Sequence, residues 1–305
     1  MTGRKLLKVV TNPYWAFGVI LRRSFGKCIN DRNFIKWEYF SGMHKFPNID
    51  NPITYNEKLQ WLKLNDIHEE YSLLVDKYEA KEIVRKRIGD EYIIPTLGIY
   101  NSFEEIDFDQ LPNQFVLKTT HDSGGVVVCS DKAKLDRNAA QKKLGKSLKK
   151  NYFYEHREYP YKDVKPRIIA EQYMVDESGT ELKDYKFFCF DGKCKMLFIA
   201  TERQTREEPF FNFFDRDFNS LPFKQGHPVN PETPKKPERF NEMLRIAEQL
   251  SIGFPHVRVD LYNINGKIYF GELTFFHFSG NVPFEPQDWD YKIGEWLQLP
   301  KTSNE

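Results

Sequence analysis

The chain has 305 residues, and its 45 Lys and Arg residues nearly balance its 44 Asp and Glu residues, giving a formal net charge of +1. This balance argues against a nucleic-acid-binding protein with a general basic excess, and an aromatic content of 15% argues against a disordered chain. The length predicts two or three subdomains, and no apolar run reaches the roughly 18 residues of a membrane-spanning helix.

Four cysteines, Cys28, Cys129, Cys189 and Cys194, are scattered along the chain without a Cys-x-x-Cys spacing or a cluster of Cys and His. This distribution gives no support for a zinc site. Free thiols in a reducing cytoplasm are the simpler interpretation, so a cytoplasmic location is predicted.

Residues 1–50 form an aromatic-rich extension that is predicted to be helical with connecting loops. Its stretch 9–21 is interrupted by Pro13, is followed by Arg22 and Arg23, and lacks the small-residue cleavage site of a signal peptide. The mixture of aromatic and basic residues would allow peripheral contact with an anionic membrane face. A helix that packs on its own domain is the alternative.

Helix and strand patterns follow one another without an internal repeat, and the frequent hairpins predict an α+β fold rather than an all-parallel sheet. Thr54-Tyr55-Asn56-Glu57 is a capping box that predicts a helix start, and a second helix is predicted over 73–87. Further predicted helices are 135–150 and 238–250, and the predicted strands are 115–118, 126–128, 168–174, 185–190 and 194–200. A polar loop is predicted over 202–237.

Residues 257–274 form two alternating runs of apolar and polar residues around Asn265-Gly266, which predicts a β-hairpin. Each arm carries one acidic residue, Asp260 and Glu272. Two carboxylates on one sheet face repel each other unless a cation lies between them, and Mg²⁺ is the commonest such cation. The hairpin is therefore either a metal site or an exposed hairpin with two solvated acids.

The turn of this hairpin determines which face Glu272 occupies. A two-residue type I′ turn would set Asp260 opposite Gly271 and leave Glu272 on the other face. A three-residue turn with a bulge at Gly266 would set Asp260 directly across from Glu272. Asn265-Gly266 fits both turns, so these residues permit the metal-binding register without requiring it.

A glycine-containing loop follows Lys118, the last residue of the predicted strand 115–118. Gly124-Gly125 would let backbone N–H groups fold over an anion, and Lys118 would add a positive charge beside it. The loop differs from a Walker A loop because the lysine precedes the glycines. A plain hairpin turn is the alternative.

Six short motifs follow one another between residues 51 and 280. They are Asp76-Lys77-Tyr78, Phe115-Val116-Leu117-Lys118 with the glycine loop, Ile169-Ala170-Glu171-Gln172-Tyr173, Asp184-Tyr185-Lys186-Phe187, Arg258-Val259-Asp260 and Glu272-Leu273-Thr274. In this order they resemble the ATP-grasp superfamily. Within it they resemble the ligases of bacterial polysaccharide gene clusters that are related to the teichuronopeptide biosynthesis protein.

The resemblance implies an α+β ATP-grasp fold in which two lobes hold ATP between antiparallel sheets, after a helical and aromatic N-terminal extension. The implied divisions are an extension (1–50), an N-terminal subdomain (51–110), a small lobe with the glycine loop as a lid (111–170) and a large lobe with the metal site (171–305).

The resemblance also implies which residues bind the nucleotide. Two lysines would hold the phosphates, the lid loop would close over them, an adenine hinge would read the base through its backbone and a carboxylate, and a further lysine would contact phosphate. These residues are Lys77, Lys118, His121, Ser123, Gly124, Gly125, Glu171, Gln172, Tyr173 and Lys186.

Two catalytic groups and a metal site are implied in the same way. Arg258 resembles the arginine that steadies the developing tetrahedral centre, and Lys186, the further phosphate-binding lysine, is the second implied catalytic residue. Asp260 and Glu272 resemble the Mg²⁺ ligands. Thr274 stands where the family commonly has an asparagine ligand, and a hydroxyl binds Mg²⁺ more weakly than an amide carbonyl does.

The resulting prediction is an ATP-dependent and Mg²⁺-dependent carboxylate–amine ligase that acts through an acylphosphate in surface polysaccharide biosynthesis. Its predicted partners are a small-molecule carboxylate, such as a uronic acid or a nucleotide-linked sugar, and an amine, with no nucleic acid. The alternatives are a glycosyltransferase that uses Asp215 and Asp217, an ATP-grasp kinase, and a non-catalytic binding or scaffold protein.

Overall fold

The structure, a computed structural model, describes residues 12–176, 179, 182–203 and 206–301. The helices are α1 (Pro13–Ile20), α2 (Asp31–Met43), α3 (Tyr55–Asn65), α4 (Tyr71–Val75), α5 (Glu79–Ile88), α6 (Arg137–Leu148), α7 (Phe153–His156), α8 (Phe240–Ser251) and α9 (Asp288–Trp296). The strands are β1 (Thr96–Tyr100), β2 (Phe115–Thr119), β3 (Val126–Cys129), β4 (Ile168–Gln172), β5 (Asp184–Phe190), β6 (Lys193–Thr201), β7 (Phe210–Asp215), β8 (Lys224–Gln225), β9 (His256–Ile264), β10 (Lys267–Thr274) and β11 (Phe284–Glu285).

Two antiparallel sheets form the body of the protein. The small sheet has the strand order β1-β4-β2-β3, and the large sheet has the order β10-β9-β5-β6-β7. Strands β8 and β11 pair separately. Helices and antiparallel sheets thus occur together, which confirms the predicted α+β class. The domain boundaries stay a prediction; β1 from before residue 111 joins the small sheet, and β4 crosses the boundary at residue 171.

The large sheet has one apolar face and one charged face, and strand β9 shows why. Val257, Val259 and Leu261 alternate with Arg258 and Asp260, so the two sets point to opposite sides of the strand. The apolar set belongs to the main core, in which the buried side of α8 also packs. The polar set is left on the side that faces the small sheet, where a binding site can form.

The helix predicted over 73–87 is interrupted, which corrects that prediction. Helix α4 ends at Val75, and Asp76 adopts an extended conformation before α5 begins. The Asp76 carboxylate accepts hydrogen bonds from the backbone N–H groups of Tyr78 and Glu79 at 2.8 and 3.1 Å. An aspartate that caps a new helix start competes with helix continuation, and apolar periodicity alone does not reveal this competition.

The loop predicted over 202–237 also needs correction, because β7 and β8 lie within it. Strand β7 forms the edge of the large sheet beside β6, with Phe211, Phe213 and Phe214 buried. A short aromatic run between polar and proline-rich flanks was enough to form an edge strand once a partner strand was available.

Helices α1 and α2 form the N-terminal extension, and a π-helical turn (Leu21–Phe25) joins them. Arg157 anchors this extension, since its Nε donates to Asp31 at 2.6 Å and its Nη2 donates to the carbonyl of Gly26. Among the helices that the structure describes, none is long and apolar enough to cross a membrane.

Candidate active site

A cleft of about 400 Å³ lies between the small and the large sheet, a size typical of small-molecule sites. The predicted site residues that line it are Lys77, Lys118, Ser123, Gly124, Glu171, Gln172, Tyr173 and Glu272. Asp184, Arg203 and Tyr262 line it as well. The structure therefore brings the predicted phosphate lysines, lid tip and hinge together with one predicted metal ligand.

The hairpin places Asp260 opposite Glu272, although it has the two-residue turn rather than the three-residue turn. Lys267 pairs with Ile264, so Asn265-Gly266 forms a two-residue turn, with φ of 51° and 79°. A register shift between Phe270 and Glu272 then restores the facing carboxylates. Of the two registers that the sequence permits, the structure has the one in which Asp260 faces Glu272, and its bulge lies at Gly271 rather than at Gly266.

Gly271 is the extra residue of this bulge. A Cβ at Gly271 would lie 3.0 Å from the carbonyl oxygen of Asp260 and 3.2 Å from the ring of Tyr262, so a glycine suits this position. An isolated glycine inside a strand is a known sign of a bulge. That sign was present in the sequence and was missed.

Arg258 is the centre of a buried charge network beneath the cleft. Its Nε and Nη2 donate to Asp260 at 2.7 and 2.8 Å, Nη2 also donates to Thr274 Oγ1 at 3.0 Å, and Nη1 lies 2.8 Å from Nδ1 of His277. Burial opposes the charge on Arg258, but the ion pair with Asp260 raises its pKa. Lys186 also contacts Asp260, so the predicted catalytic residues and Thr274 lie together, one layer below the cleft surface.

Oxygen donors that suit Mg²⁺ gather at this face. Glu272 lines the cleft with 43% of its side chain exposed, and Oδ1 of Asp184 is buried with no hydrogen-bond partner among the described residues. Its partial burial in the cleft opposes the ionisation of Glu272, yet the positive charges of Lys186, Lys77 and Arg258 lower its pKa, so it is an anion at neutral pH. Hard oxygen ligands of this kind fit Mg²⁺.

The protein alone offers only part of a coordination shell. Within the described ranges, no group of three or more His, Cys, Asp or Glu side chains is arranged to hold a metal ion. Asp260 is engaged by Arg258 and Lys186 rather than turned toward the cleft. Because Mg²⁺ in phosphoryl-transfer sites is commonly held by one or two carboxylates and the phosphates themselves, this donor set fits a nucleotide-bound ion.

Glu171, on strand β4 of the small sheet, forms ion pairs with two lysines. Its carboxylate lies 2.7 Å from Nζ of Lys118 and also forms an ion pair with Lys81. Burial opposes the ionisation of Glu171, but the two lysines lower its pKa to about 2. The carboxylate expected to read adenine is thus engaged by lysines, and the adenine contact of the predicted hinge stays a prediction. Lys81, four residues after Lys77, was missed by the sequence analysis.

The predicted lid loop, residues 121–125, is held by hydrogen bonds at His121 and is exposed at its tip. His121 is buried, and its Nε2 lies 3.2 and 3.1 Å from the carbonyl oxygens of Ser147 and Lys150. Burial lowers the pKa of His121, so the imidazole is neutral. Among the described residues that line the cleft, His121 and Gly125 are absent, and Ser123 with Gly124 forms the exposed tip. The nucleotide contacts predicted for His121 and Gly125 stay predictions for residues that do not line the cleft.

The sequence of residues 57–298 matches the family model described as TupA-like ATP-grasp, which spans well over half of the chain. The chain belongs to the TupA-like ATP-grasp family. This assignment confirms the ATP-grasp fold expected from the six motifs. No curated protein sequence matches the chain significantly.

Several solved ATP-grasp structures resemble this family member at low identity. D-alanine–D-alanine ligase from Bacillus anthracis complexed with ATP is 16% identical over 67% of this chain and 54% of that chain, with a TM-score of 0.38. The ATP-grasp ligase PsnB complexed with minimal precursor is 9% identical over 68% and 53%, with a TM-score of 0.39. A RimK domain ATP-grasp protein from Sphaerobacter thermophilus is 12% identical over 74% and 69%, with a TM-score of 0.39. The chain spans about half the length of the first two.

Gly125→Ala should disturb the lid of this ATP-grasp protein. A Cβ at Gly125 would stand 1.8 Å from Thr119 Oγ1 and 2.5 Å from Ser147 Oγ, so the loop must move. We expect the unfolding free energy to fall by about 1 to 3 kcal/mol and the KM for ATP to rise. Urea unfolding and steady-state kinetics measure both quantities.

Gly145→Ala is the matched control for this substitution. Gly145 lies in α6, and a Cβ there meets nothing within 4 Å, so alanine should raise the unfolding free energy by up to about 1 kcal/mol. Equal effects of both substitutions would contradict the proposed packing of the lid base.

Proposed function

We propose that the chain is an ATP-dependent ligase that joins a carboxylate to an amine through an acylphosphate, with Mg²⁺ as its metal ion. The observation that carries the proposal is the cleft, where Lys77, Lys118 and the tip of the glycine loop face the acidic hairpin residue Glu272. Such an arrangement suits a polyphosphate, because cations and backbone N–H groups neutralise phosphate oxygens while a carboxylate helps to hold the metal ion.

Each group has a separate task in the proposed reaction. Lys77 and Lys118 bind phosphate oxygens, and Arg203, which pairs with Asp184 at the cleft wall, adds positive charge. Glu272, with Asp260 behind it, would hold Mg²⁺, which neutralises charge on the transferring phosphoryl group. The predicted role of Thr274 as a metal ligand stays a proposal. In this structure its hydroxyl oxygen accepts a hydrogen bond from Arg258.

The chemistry needs no protein nucleophile. A carboxylate oxygen of the substrate attacks the γ-phosphorus of ATP, the bond to ADP breaks, and an acylphosphate forms. The uncharged amine then attacks the acyl carbon, the carbon–nitrogen bond forms, and inorganic phosphate leaves with the former carboxylate oxygen and takes up the proton that the nitrogen loses. Lys77 and Lys118 would position the reactants and neutralise charge, while Arg258 and Lys186 would act from beneath the cleft through Asp260.

The fate of the carboxylate oxygen tests this reaction directly. With a carboxylate carrying isotopically labelled oxygen, we expect one labelled oxygen to appear in inorganic phosphate, in a reaction that requires both the carboxylate and the amine. Mass spectrometry of phosphate and product gives the readout. Phosphate that remains on an isolated product would support the ATP-grasp kinase instead, and turnover of a nucleotide sugar without ATP would support a glycosyltransferase.

The substrates and the setting are finer proposals that rest on the resemblance to the teichuronopeptide-related ligases. We propose a uronic acid or a nucleotide-linked sugar as the carboxylate and surface polysaccharide synthesis as the setting. A screen of uronic acids against a panel of amines, read by product mass, tests them.

Cytoplasmic location and peripheral membrane contact also stay proposals. Residues 1–11 lie outside the described part, Phe17 and Ile20 of α1 are exposed, and cosedimentation with anionic vesicles tests the contact.

The position of Asp215 does not support the glycosyltransferase alternative. Oδ1 of Asp215 accepts hydrogen bonds from the backbone N–H groups of Asp217 and Asn219 at 2.9 and 2.8 Å. Asp215 therefore closes a local turn at the end of β7, outside the residues that line the cleft. This is the ordinary role of an aspartate in a turn.

A further inference from the structure

A buried histidine touches the charge network beneath the cleft from the turn that follows the acidic hairpin. His277 begins the turn His277–Gly280 after β10 and has no exposed surface. Its Nδ1 lies 2.8 Å from Nη1 of Arg258, and its Nε2 lies 3.1 Å from Oε1 of Gln225 on β8. The histidine therefore connects Arg258 with a strand that lies outside the large sheet.

The hydrogen bonds of Gln225 determine which ring nitrogen of His277 carries the proton. The carbonyl of Val282 can only accept, so the atom of Gln225 that lies 3.0 Å from it is the amide nitrogen, which donates. The amide oxygen Oε1 then faces the ring and accepts from Nε2–H of His277. A neutral ring with its proton on Nε2 has a lone pair on Nδ1, and the guanidinium of Arg258, which can only donate, faces that lone pair.

The imidazole of His277 is neutral in these surroundings. Burial opposes its charge, and the positive charge of Arg258 adds to this effect, so the pKa of His277 lies well below its ordinary value. A neutral acceptor directs one N–H group of Arg258 without cancelling the positive charge. That charge remains available to Asp260 and, at the cleft, to Glu272. A carboxylate in place of the histidine would compete with Asp260 for the same cation.

The contact with His277 completes the support of the Arg258 guanidinium. Its Nε and Nη2 donate to Asp260, and Nη2 also donates to Thr274. In the described ranges, His277 is the one hydrogen-bond partner of the third nitrogen, Nη1. A planar guanidinium that is held along one edge can tilt about that edge, whereas a partner on the opposite nitrogen prevents the tilt. The orientation of the Asp260 carboxylate beside Glu272 depends on this arginine.

Helix α3 maintains the turn that directs His277 toward Arg258. Ser279 has a left-handed backbone conformation, with φ of 53°, which is costly for a residue other than glycine. Its carbonyl accepts hydrogen bonds from Nζ of Lys63 at 2.8 Å and from Nε2 of Gln60 at 2.9 Å. Side chains of another element thus hold a conformation that the local sequence does not favour. Strain that is maintained in this way is typical of functional positions.

We propose that His277 is a positioning residue of the ligase, which as the Nε2–H tautomer holds Arg258, and through it the Asp260 carboxylate, in the orientation that the reaction requires. Gln225 fixes the tautomer, so strand β8 supports the reaction centre from outside the large sheet. This inference rests on the proposed function. It adds a residue that does not line the cleft in the described part of the chain and that acts on orientation rather than on nucleotide binding.

Two amide substitutions of the same chemistry test this role. In His277→Asn, the amide oxygen can take the place of Nδ1 and accept from Arg258. In His277→Gln, the amide lies near the place of Nε2, where it reaches Gln225 instead. We expect kcat of His277→Asn to stay within about threefold of wild type and kcat of His277→Gln to fall about 10- to 100-fold, with the KM for ATP unchanged in both.

Turnover is measured as phosphate release from ATP with Mg²⁺, a panel of carboxylates that includes uronic acids, and hydroxylamine as an amine that intercepts acylphosphates. Urea unfolding of both variants supplies the structural comparison. Each amide replaces a buried aromatic ring, so both variants should lose similar unfolding free energy. A purely structural histidine would therefore give two equally impaired enzymes, whereas a positioning histidine gives rescue by asparagine alone.

Nuclear magnetic resonance reads the tautomer without any substrate. The intact wild-type chain is labelled with ¹⁵N-histidine, and the signals of His277 are identified by their absence from His277→Asn. At neutral pH we expect a protonated Nε2 and an unprotonated Nδ1. An imidazolium ring, or a proton on Nδ1, would overturn the inference, because neither form can accept from Arg258.

The kinetic outcomes separate this inference from the proposed function. Equal losses of kcat in the two variants, full activity of His277→Gln, or a higher KM for ATP in place of a lower kcat would overturn the positioning role and leave the ligase proposal standing. If the wild-type chain releases no phosphate from ATP with any carboxylate of the panel, the proposed function is contradicted, and this inference falls with it.

Discussion

Glu272→Gln is expected to lower kcat/KM for ATP-dependent turnover on the order of 10³-fold. Glu272 is the predicted metal ligand that reaches the cleft, and Lys186, Lys77 and Arg258 all lie near enough to lower its pKa. The amide keeps the size of the side chain but loses the negative charge that would hold Mg²⁺ against the phosphates. Steady-state kinetics with saturating Mg²⁺ measure the loss, and circular dichroism verifies the fold.

Asp215→Asn provides the control for this experiment. An asparagine Oδ1 can still accept the two turn hydrogen bonds of Asp215, so stability and activity should remain close to wild type. The reverse result, in which Asp215→Asn abolishes turnover while Glu272→Gln leaves it intact, would contradict the ligase proposal. That result would restore the glycosyltransferase alternative.

Glu171→Gln is expected to lower the free energy of unfolding by about 3 kcal/mol near neutral pH, since it leaves a buried lysine without its counter-charge. Lys81 is 5% exposed, and within the described part of the chain its other partners are the carbonyl of Ile94 and the hydroxyl of Thr96, at 2.8 and 3.0 Å. Urea unfolding at neutral pH measures the difference between wild type and variant.

The same ion pairs predict how this difference depends on pH. The pKa of Glu171 is about 2 in the folded state, against an ordinary value of 4.5. Because the folded-state pKa is depressed, the stabilisation is fully present above the ordinary value and is lost as the pH falls toward about 2. The gap between wild type and Glu171→Gln should therefore shrink in acid, and an unchanged gap would contradict the assigned ion pairs.

Glu285→Gln is the matched control for the stability measurement. Glu285 pairs with Lys224 at 2.9 Å, but both side chains are at least half exposed. Exposed ion pairs contribute about 0 to 1 kcal/mol because water screens them. A loss as large as that of Glu171→Gln would show that burial is not the cause.

Local features of the structure could be predicted where neighbouring residues alone decide them. The capping box of Thr54 and Glu57 forms as expected, because both partners belong to one helical turn. The alternation along β9 assigned Arg258 and Asp260 to one face, since strand geometry has a period of two. The order of the six motifs indicated the ATP-grasp fold, which the family match then confirmed.

Contacts between distant segments could not be predicted in this way. The ion pair of Glu171 with Lys81 joins residues that are far apart in the sequence. The hydrogen bond of His121 to the end of α6 does the same. The contact of Glu38 with His156 likewise depends on how the N-terminal helices pack against a distant part of the chain. Side-chain partners of this kind are set by packing, which no local pattern encodes.

The acidic hairpin shows most clearly which features the sequence determined and which the tertiary structure decided. The sequence by itself determined that a hairpin forms around Asn265-Gly266 and that each arm carries one acid. It did not determine the face of Glu272, because a two-residue turn and a regular ladder would have turned that side chain away. The tertiary structure decided it through a bulge at Gly271, where the approach of the neighbouring strand leaves little room for a side chain.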